Sequence, residues 1–302
     1  MAAERRFRAM GSDAHVIVTG PTADALASAA VARLDELERR WSRFIPTSEI
    51  SRLNEAGGAP VDVSLDTALL VRTAIDAFWL SGCSFDPTVL GDVLRAGYDR
   101  PFDSLVGVAG VSALRRGCAD IHVDGTTVRL PAGTGFDPGG IGKGLAADLV
   151  VGEVLAAGAD GACVNLGGDL RVQGLSPSGG AWTVAVEHPA LTAPLAMLSL
   201  AGGAVATSTT LRRRWAVVGV ARHHLIDPTT GQPSTSDLVL VSVVAGDAWA
   251  AEILAKAVLL RGSAHPFDLL GGTGAEAVAV TRDDAVLRSP GLRRFVLDAV
   301  QA

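Results

Sequence analysis

The stretch from Gly135 to Asp148 sets one fixed positive charge, Lys143, among bare backbone at what reads as a helix start. Gly135, Gly139, Gly140, Gly142 and Gly144 permit positive φ and let the main chain approach a ligand with no Cβ in the way. The alanine-rich run from Leu145 reads as a helix, whose first N–H groups and dipole would face the same place as the Lys143 ammonium. A phosphate or pyrophosphate suits that chemistry. Two familiar phosphate loops do not fit. The P-loop pattern fails twice, with Asp137 where it needs a glycine and Gly144 where it needs a Ser or Thr. Gly142 to Ala147 matches the looser G-x-G-x-x-A pattern of dinucleotide folds. Its lead-in, with Pro131, Gly133, Gly135 and Pro138, is loop chemistry and not the buried strand that pattern requires. A glycine-rich turn that only caps a helix is the plain alternative.

Further polar segments lie on both sides. His223-His224-Leu225-Ile226-Asp227-Pro228 offers imidazoles that titrate near neutral pH, so His224 is the candidate general base and His223 the second candidate. A histidine hydrogen-bonded in a turn ahead of Asp227-Pro228 is the structural alternative, and Asp227 reads as the cap of that turn. Ala206-Thr207-Ser208-Thr209, Asn165-Leu166-Gly167-Gly168-Asp169, Phe85-Asp86-Pro87-Thr88 and Ser48 to Asn54 complete the set. In this order the segments resemble the ApbE family, the FAD:protein FMN transferases, from Met10-Gly11 to about Gly262.

That resemblance implies an α+β, ApbE-like fold with mixed or antiparallel sheets packed with a few helices and an FAD cleft between lobes. It implies cleavage of FAD between its phosphates and transfer of FMN to a Thr or Ser hydroxyl of a client flavoprotein, with AMP released and Mg2+ assisting. On matching positions, Met10 would pack on the flavin, Ser42-Arg43-Phe44 would replace the usual Ser-Thr-Tyr, and Asp86 would hydrogen-bond the cofactor. Phe44 keeps stacking and loses a hydroxyl. Lys143, beside Gly139 and Gly140, would meet the pyrophosphate, the Gly140 carbonyl would face the metal, and Ile226 would line the nucleotide pocket. Core packing is the plain alternative for Met10 and Ile226, and turn formation for Asp86, Asn165 and Asp169. The chain departs from the family in its last helix, where the usual metal-binding Asp and Thr align with Glu252 and Lys256. A charged lysine cannot ligate magnesium. Glu252 and Lys256 are also an ordinary i,i+4 pair, and Asp247 is a substitute carboxylate at an expected N-cap. Either Mg2+ binds through Glu252, Gly140 and the phosphates, or the Lys256 ammonium replaces part of its charge; we expect metal dependence to be retained. A non-catalytic FAD carrier and an FAD pyrophosphatase are the alternative functions, and a nicotinamide oxidoreductase rests only on Gly142 to Ala147.

The elements that must position these residues follow from hydrophobic period. Strands are expected at His15–Thr19, Ile121–Leu130 with a hairpin turn at Asp124-Gly125, Ala162–Leu166, Leu170–Gln173, Trp182–Glu187, Met197–Leu200, Trp215–Val220 and Leu238–Val244. Helices are expected at Thr22–Trp41, Leu65–Leu80, the phosphate-loop segment to about Ala157, and Ala248–Leu260 ending at Gly262. Runs of strands with a few helices make an α+β pattern, read as one domain over residues 1–302, in one body or two lobes. At 302 residues and 48% hydrophobic content the chain can bury a substantial core. A net charge of −6 argues against nucleic acid as a partner. Arg212-Arg213-Arg214 is the local exception, a solvated loop or a hold for a phosphate or an acidic partner. Cys83, Cys118 and Cys163 show no C-x-x-C spacing, which suits reduced thiols. No secretory signal, lipoprotein cysteine or apolar run long enough to span a bilayer is visible, so a cytoplasmic location is expected.

Overall fold

Val16 and Val18 alternate with more exposed neighbours in the strand Ser12–Thr19 and are themselves fully buried, the period of a half-buried strand. Ser12–Thr19 pairs antiparallel with Ala2–Ala9, a strand that sequence reading missed because Glu4, Arg5, Arg6 and Arg8 mask its alternation. Those charges mark a sheet edge, where they discourage pairing with other chains. From that edge the eight-stranded sheet continues through Gly161–Leu166, Asp169–Gly174, Gly202–Thr209, Leu238–Ala245, Glu276–Thr281 and Val286–Arg288. Every neighbouring pair is antiparallel, and the order across the sheet is the order along the chain.

This computed structural model describes residues 1–106 and 108–297; the rest of the expected domain, residue 107 and residues 298–302, lies outside them. The chain divides into two compact units. The first comprises residues 1–34, 143–209 and 237–302, and the second comprises residues 35–142 and 210–236. The first unit is the sheet with its coverings. The hairpin of Trp182–Val186 and Ala196–Leu200 buries Trp182, Val184 and Leu198 with Leu170, Val172, Val205, Val244 and Val278. The helix Ala248–Arg261 packs against Gly202–Thr209 and Leu238–Ala245. It ends, as expected, at Gly262 with φ +83°.

The second unit contains Glu49–Glu55, Leu65–Leu80 and Leu90–Arg95 as helices and a small sheet of Val61–Asp62, His122–Asp124 and Thr127–Arg129. Ser48 and Ser64 cap the first two helices, each accepting from the backbone N–H three residues on. One expectation is overturned here. Trp215–Val220 is not a strand but a hairpin, Arg214–Val217 paired with Val220–His223, because Val218 and Gly219 take φ +49° and +77° and reverse the chain. The α+β class holds. All three cysteines are free thiols, and among the described residues no helix is long and apolar enough to cross a membrane.

Candidate functional site

The helix carrying Lys143 begins at Gly142, a turn earlier than its alanine content suggests, and runs to Ala156. None of the five glycines around it uses positive φ. What they spare is space: a Cβ on Gly144 would collide with the Ala248 carbonyl and lie 2.6 Å from the Trp249 nitrogen. Two helix starts thus meet backbone to backbone, and each is capped by a carboxylate from the other helix. Glu252 Oε2 accepts from the Gly144 N–H at 2.8 Å. Asp148 Oδ1 and Oδ2 accept from the Ala248 and Trp249 N–H groups, both at 2.9 Å. Asp247 occupies the N-cap position, as expected, but makes no side-chain cap bond; Asp148 does that work instead. Burial pushes the Asp148 carboxyl up to about 6, against the two amide bonds and Arg171, whose Nε lies 3.5 Å away. Arg171 also donates to the Gly246 carbonyl.

Lys143 lies in the middle of this arrangement. Its ammonium forms an ion pair with Asp169 Oδ2 and lies 3.4 Å from Glu252 Oε1, and both carboxylates are nearly buried. Asp169 also accepts from the Thr207 N–H at 3.3 Å, which ties in the Ala206 to Thr209 segment. Its placement follows from the two-residue turn Gly167-Gly168 that closes Leu166 onto Asp169, with Asn165 accepting from the Gly168 N–H at 2.8 Å. Lys256 follows Glu252 by one helical turn on the same face and is half-buried. Met10 forms, with Gly11, the turn between the first two strands at φ +50°, half-exposed and not in the core. A left-handed methionine is a costly conformation.

In the second unit the glycine-rich lead-in is pinned from three directions. Asn54 exchanges two hydrogen bonds with Phe136, at 2.6 and 3.0 Å, and Phe136 is fully buried. The Asp137 N–H donates to the Pro87 carbonyl at 2.7 Å. Asp137 Oδ2 lies 3.3 Å from Arg43 Nε, and its Oδ1 accepts from the Gly139 N–H at 2.9 Å. Gly140 is buried. Arg43, its side chain mostly covered, also donates to the Tyr98 carbonyl at 2.9 Å and stacks over Phe44 at 4.1 Å and Tyr98 at 5.0 Å. Phe44, Tyr98 and Trp215 follow one another with centroids 5.9 and 5.6 Å apart. Ile226 is buried with Val93 and Ala96 beneath Tyr98 and Trp215. The Ser42 hydroxyl accepts from the Phe44 N–H at 3.3 Å. Asp86 turns its carboxylate onto Thr88, accepting from its N–H at 2.7 Å and its hydroxyl at 2.5 Å.

Of the two histidines, His223 has both ring nitrogens engaged. Nε2 lies 3.0 Å from the Ser234 carbonyl and Nδ1 accepts from the Leu225 N–H at 3.3 Å. Burial, with Arg214 nearby, holds its pKa below the usual imidazole value. His224 follows it, half-buried, ahead of a turn that Asp227 caps by accepting from the Thr229 N–H at 2.8 Å. Sequence reading missed Asp148, Tyr98, Asp137 and Trp215. Only Tyr98 carried a signal, as the one tyrosine of the chain.

An eight-stranded antiparallel sheet, with a lysine paired to two carboxylates at a glycine-rich helix start, defines the class, an α+β protein. The chain belongs to the ApbE family, whose model matches residues 10–279. It is 30% identical over 300 residues to the FAD:protein FMN transferase of Rhodobacter capsulatus, covering 96% of this chain and 56% of that protein. It is 32% identical over 276 residues to the enzyme of the same name from Treponema pallidum, covering 83% and 76%. Among solved structures, the ApbE protein of Thermotoga maritima superposes with TM-score 0.88 at 26% identity, covering 99% of this chain and 100% of that one. The apo flavinyl transferase ApbE of Pseudomonas stutzeri shares the fold at TM-score 0.85 and 23% identity, covering 99% and 98%. The chain thus spans little more than half the length of the Rhodobacter relative.

Proposed function

We propose that this protein is an FAD:protein FMN transferase. The observation that carries the reading is Lys143, held at a helix start by Asp169 and Glu252 in a family whose curated members bear that activity. A client Thr or Ser oxygen attacks the FMN phosphorus; the new P–O bond forms as the bond to the AMP phosphate breaks, and AMP leaves with the electron pair. Charge builds on the phosphate oxygens, and a preset ammonium stabilises it without reorganisation. The hydroxyl proton goes to an imidazole. His224 takes that role as the residue that the family resemblance places there, while both ring nitrogens of His223 are engaged by Ser234 and Leu225. The aromatic run of Phe44, Tyr98 and Trp215 with Arg43 supplies flat surfaces suited to the flavin and adenine rings.

Magnesium, expected through Glu252, the Gly140 carbonyl and the phosphates of FAD, with Lys256 at the place of the family's usual Thr ligand, enters no step of this mechanism. Glu252 is the one anionic donor of that set, and both its oxygens are engaged, one by the Gly144 N–H and one by Lys143. Lys256 offers three donors and no acceptor. Among the described residues no three His, Cys, Asp or Glu side chains gather to hold a metal. The donor set does not fit a protein-held divalent cation.

The test is to incubate the protein with FAD and candidate clients, with and without EDTA, and to follow AMP by chromatography and protein-bound flavin by in-gel fluorescence. We expect both products, with AMP release falling less than about threefold in EDTA, and at least ~100-fold loss in Lys143→Ala, the scale of a lost transition-state charge contact. AMP without bound flavin would reassign the protein as an FAD pyrophosphatase, and no AMP at all as a carrier.

A further inference from the structure

The helix Leu65–Leu80 buries Ala68, Leu70, Val71, Ala74 and Ala77 on one side. Its other side is exposed at Leu65, Leu69, Arg72, Asp76, Trp79 and Leu80. From Leu65 to Trp79 these positions advance by three or four residues, which keeps them in one stripe along the helix, with Leu80 adjoining. Four of the six are large and apolar, and Leu65 is 75% and Trp79 59% exposed. A single exposed leucine is ordinary on a protein surface. Four apolar side chains in one stripe make a patch, and a patch marks a contact surface. It is also held firmly. The Ser64 hydroxyl caps the helix start, and the Trp79 ring packs edge-on against Phe78 with centroids 4.9 Å apart.

The two charges in the middle of the stripe point to its occupant. Arg72 donates to the Gly125 carbonyl at 2.6 Å, and among the described residues neither Arg72 nor Asp76 forms an ion pair. In a contact between identical subunits related by a two-fold axis, residue i of one meets residue j of the other, and j meets i. An axis passing between Arg72 and Asp76 lays two copies of the helix antiparallel. Each Arg72 then faces the partner's Asp76, and in the same register each Leu69 faces the partner's Trp79. One Arg and one Asp thus satisfy both copies. The guanidinium has five donors, so Arg72 can keep its bond to Gly125 while pairing. A membrane surface suits the stripe less well, because helices that lie on lipid set several Lys or Arg beside their apolar face, and here the one Arg is balanced by an Asp. We propose that the exposed face of Leu65–Leu80 joins this chain to a second copy of itself, with two reciprocal Arg72–Asp76 ion pairs fixing the register.

The test is sedimentation equilibrium of the full-length protein from about 1 to about 100 μM, the span that suits a weak interface on one helix face. We expect the average mass to climb from one chain toward two across that range. Arg72→Asp puts two acids on the face and Asp76→Arg two bases, so each variant alone should stay monomeric. An equal mixture of the two should associate again, because every contact then sets an acid against a base. That recovery also reports that both variants fold. Trp79→Ser should weaken association of the otherwise unchanged chain at least tenfold. Wild type that stays monomeric throughout would overturn the proposal, as would a dimer indifferent to the charge reversals or a mixture that does not recover. Vesicles of anionic phospholipid that bind wild type but not Trp79→Ser would give the face to a membrane and overturn it too.

Discussion

At His223 and His224, two adjacent imidazoles have different surroundings. His223 is locked between the Ser234 carbonyl and the Leu225 N–H, and burial favours its neutral form. We therefore expect His223→Gln to retain more than a tenth of the wild-type transfer rate, because glutamine can replace one of its two bonds. His224→Gln should lose ~10²–10⁴-fold, the usual worth of a general base. Initial rates of AMP release at saturating FAD separate the two, and equal losses would remove the assignment. The sequence pointed to the histidine pair but not to the division of labour within it, which depends on Ser234, eleven residues on and brought back by the chain reversal at Gly231. Lys143 was legible for the opposite reason. Its glycine surroundings are local, whereas its partners come from distant segments, Asp169 read as a turn-former and Glu252 as a metal ligand or one of a helix pair.

The two helices Gly142–Ala156 and Ala248–Arg261 act as one element, each supplying the carboxylate that caps the other. Their cross-capping had no sequence signature, because a cap is sought next to its own helix and Asp148 lies 100 residues from the amides it serves. Asp148 has a consequence in pH. Its folded carboxyl titrates at about 6 against an ordinary value of 3.8, so between those values the folded protein binds the proton that the unfolded chain has released. Stability must then fall as pH rises across that window and level off above it, at a slope of up to ~1.4 kcal/mol per pH unit. Asp148→Asn cannot titrate. We expect urea denaturation of wild type and Asp148→Asn to diverge from pH 4 to 6, with wild type losing stability relative to the variant as pH rises. Parallel curves would show that the carboxyl is not perturbed.

Both units of the molecule are assembled from separated stretches of chain, residues 1–34, 143–209 and 237–302 in one and residues 35–142 and 210–236 in the other. Fold class and most elements were legible because strand and helix periods are local, but this interleaving was not, since it depends on pairings such as Ile17 with Cys163. A fragment ending at residue 236 would lack Leu238–Ala245, Glu276–Thr281, Val286–Arg288 and the helix Ala248–Arg261. It would expose the apolar face around Val205 and Ala206. We expect it to lose the near-ultraviolet circular dichroism of the whole protein and to bind a hydrophobic dye; native-like spectra would contradict the sheet order. That order has a further consequence for biosynthesis. The nascent polypeptide displays the arginine-bearing hairpin of Ala2–Ala9 and Ser12–Thr19 before Gly161, where the third strand begins and which leaves the ribosome roughly 7–30 s later at ordinary elongation rates. A lone two-stranded ribbon is barely stable in water, so those early charges keep an unfinished template from recruiting strands of neighbouring polysomes.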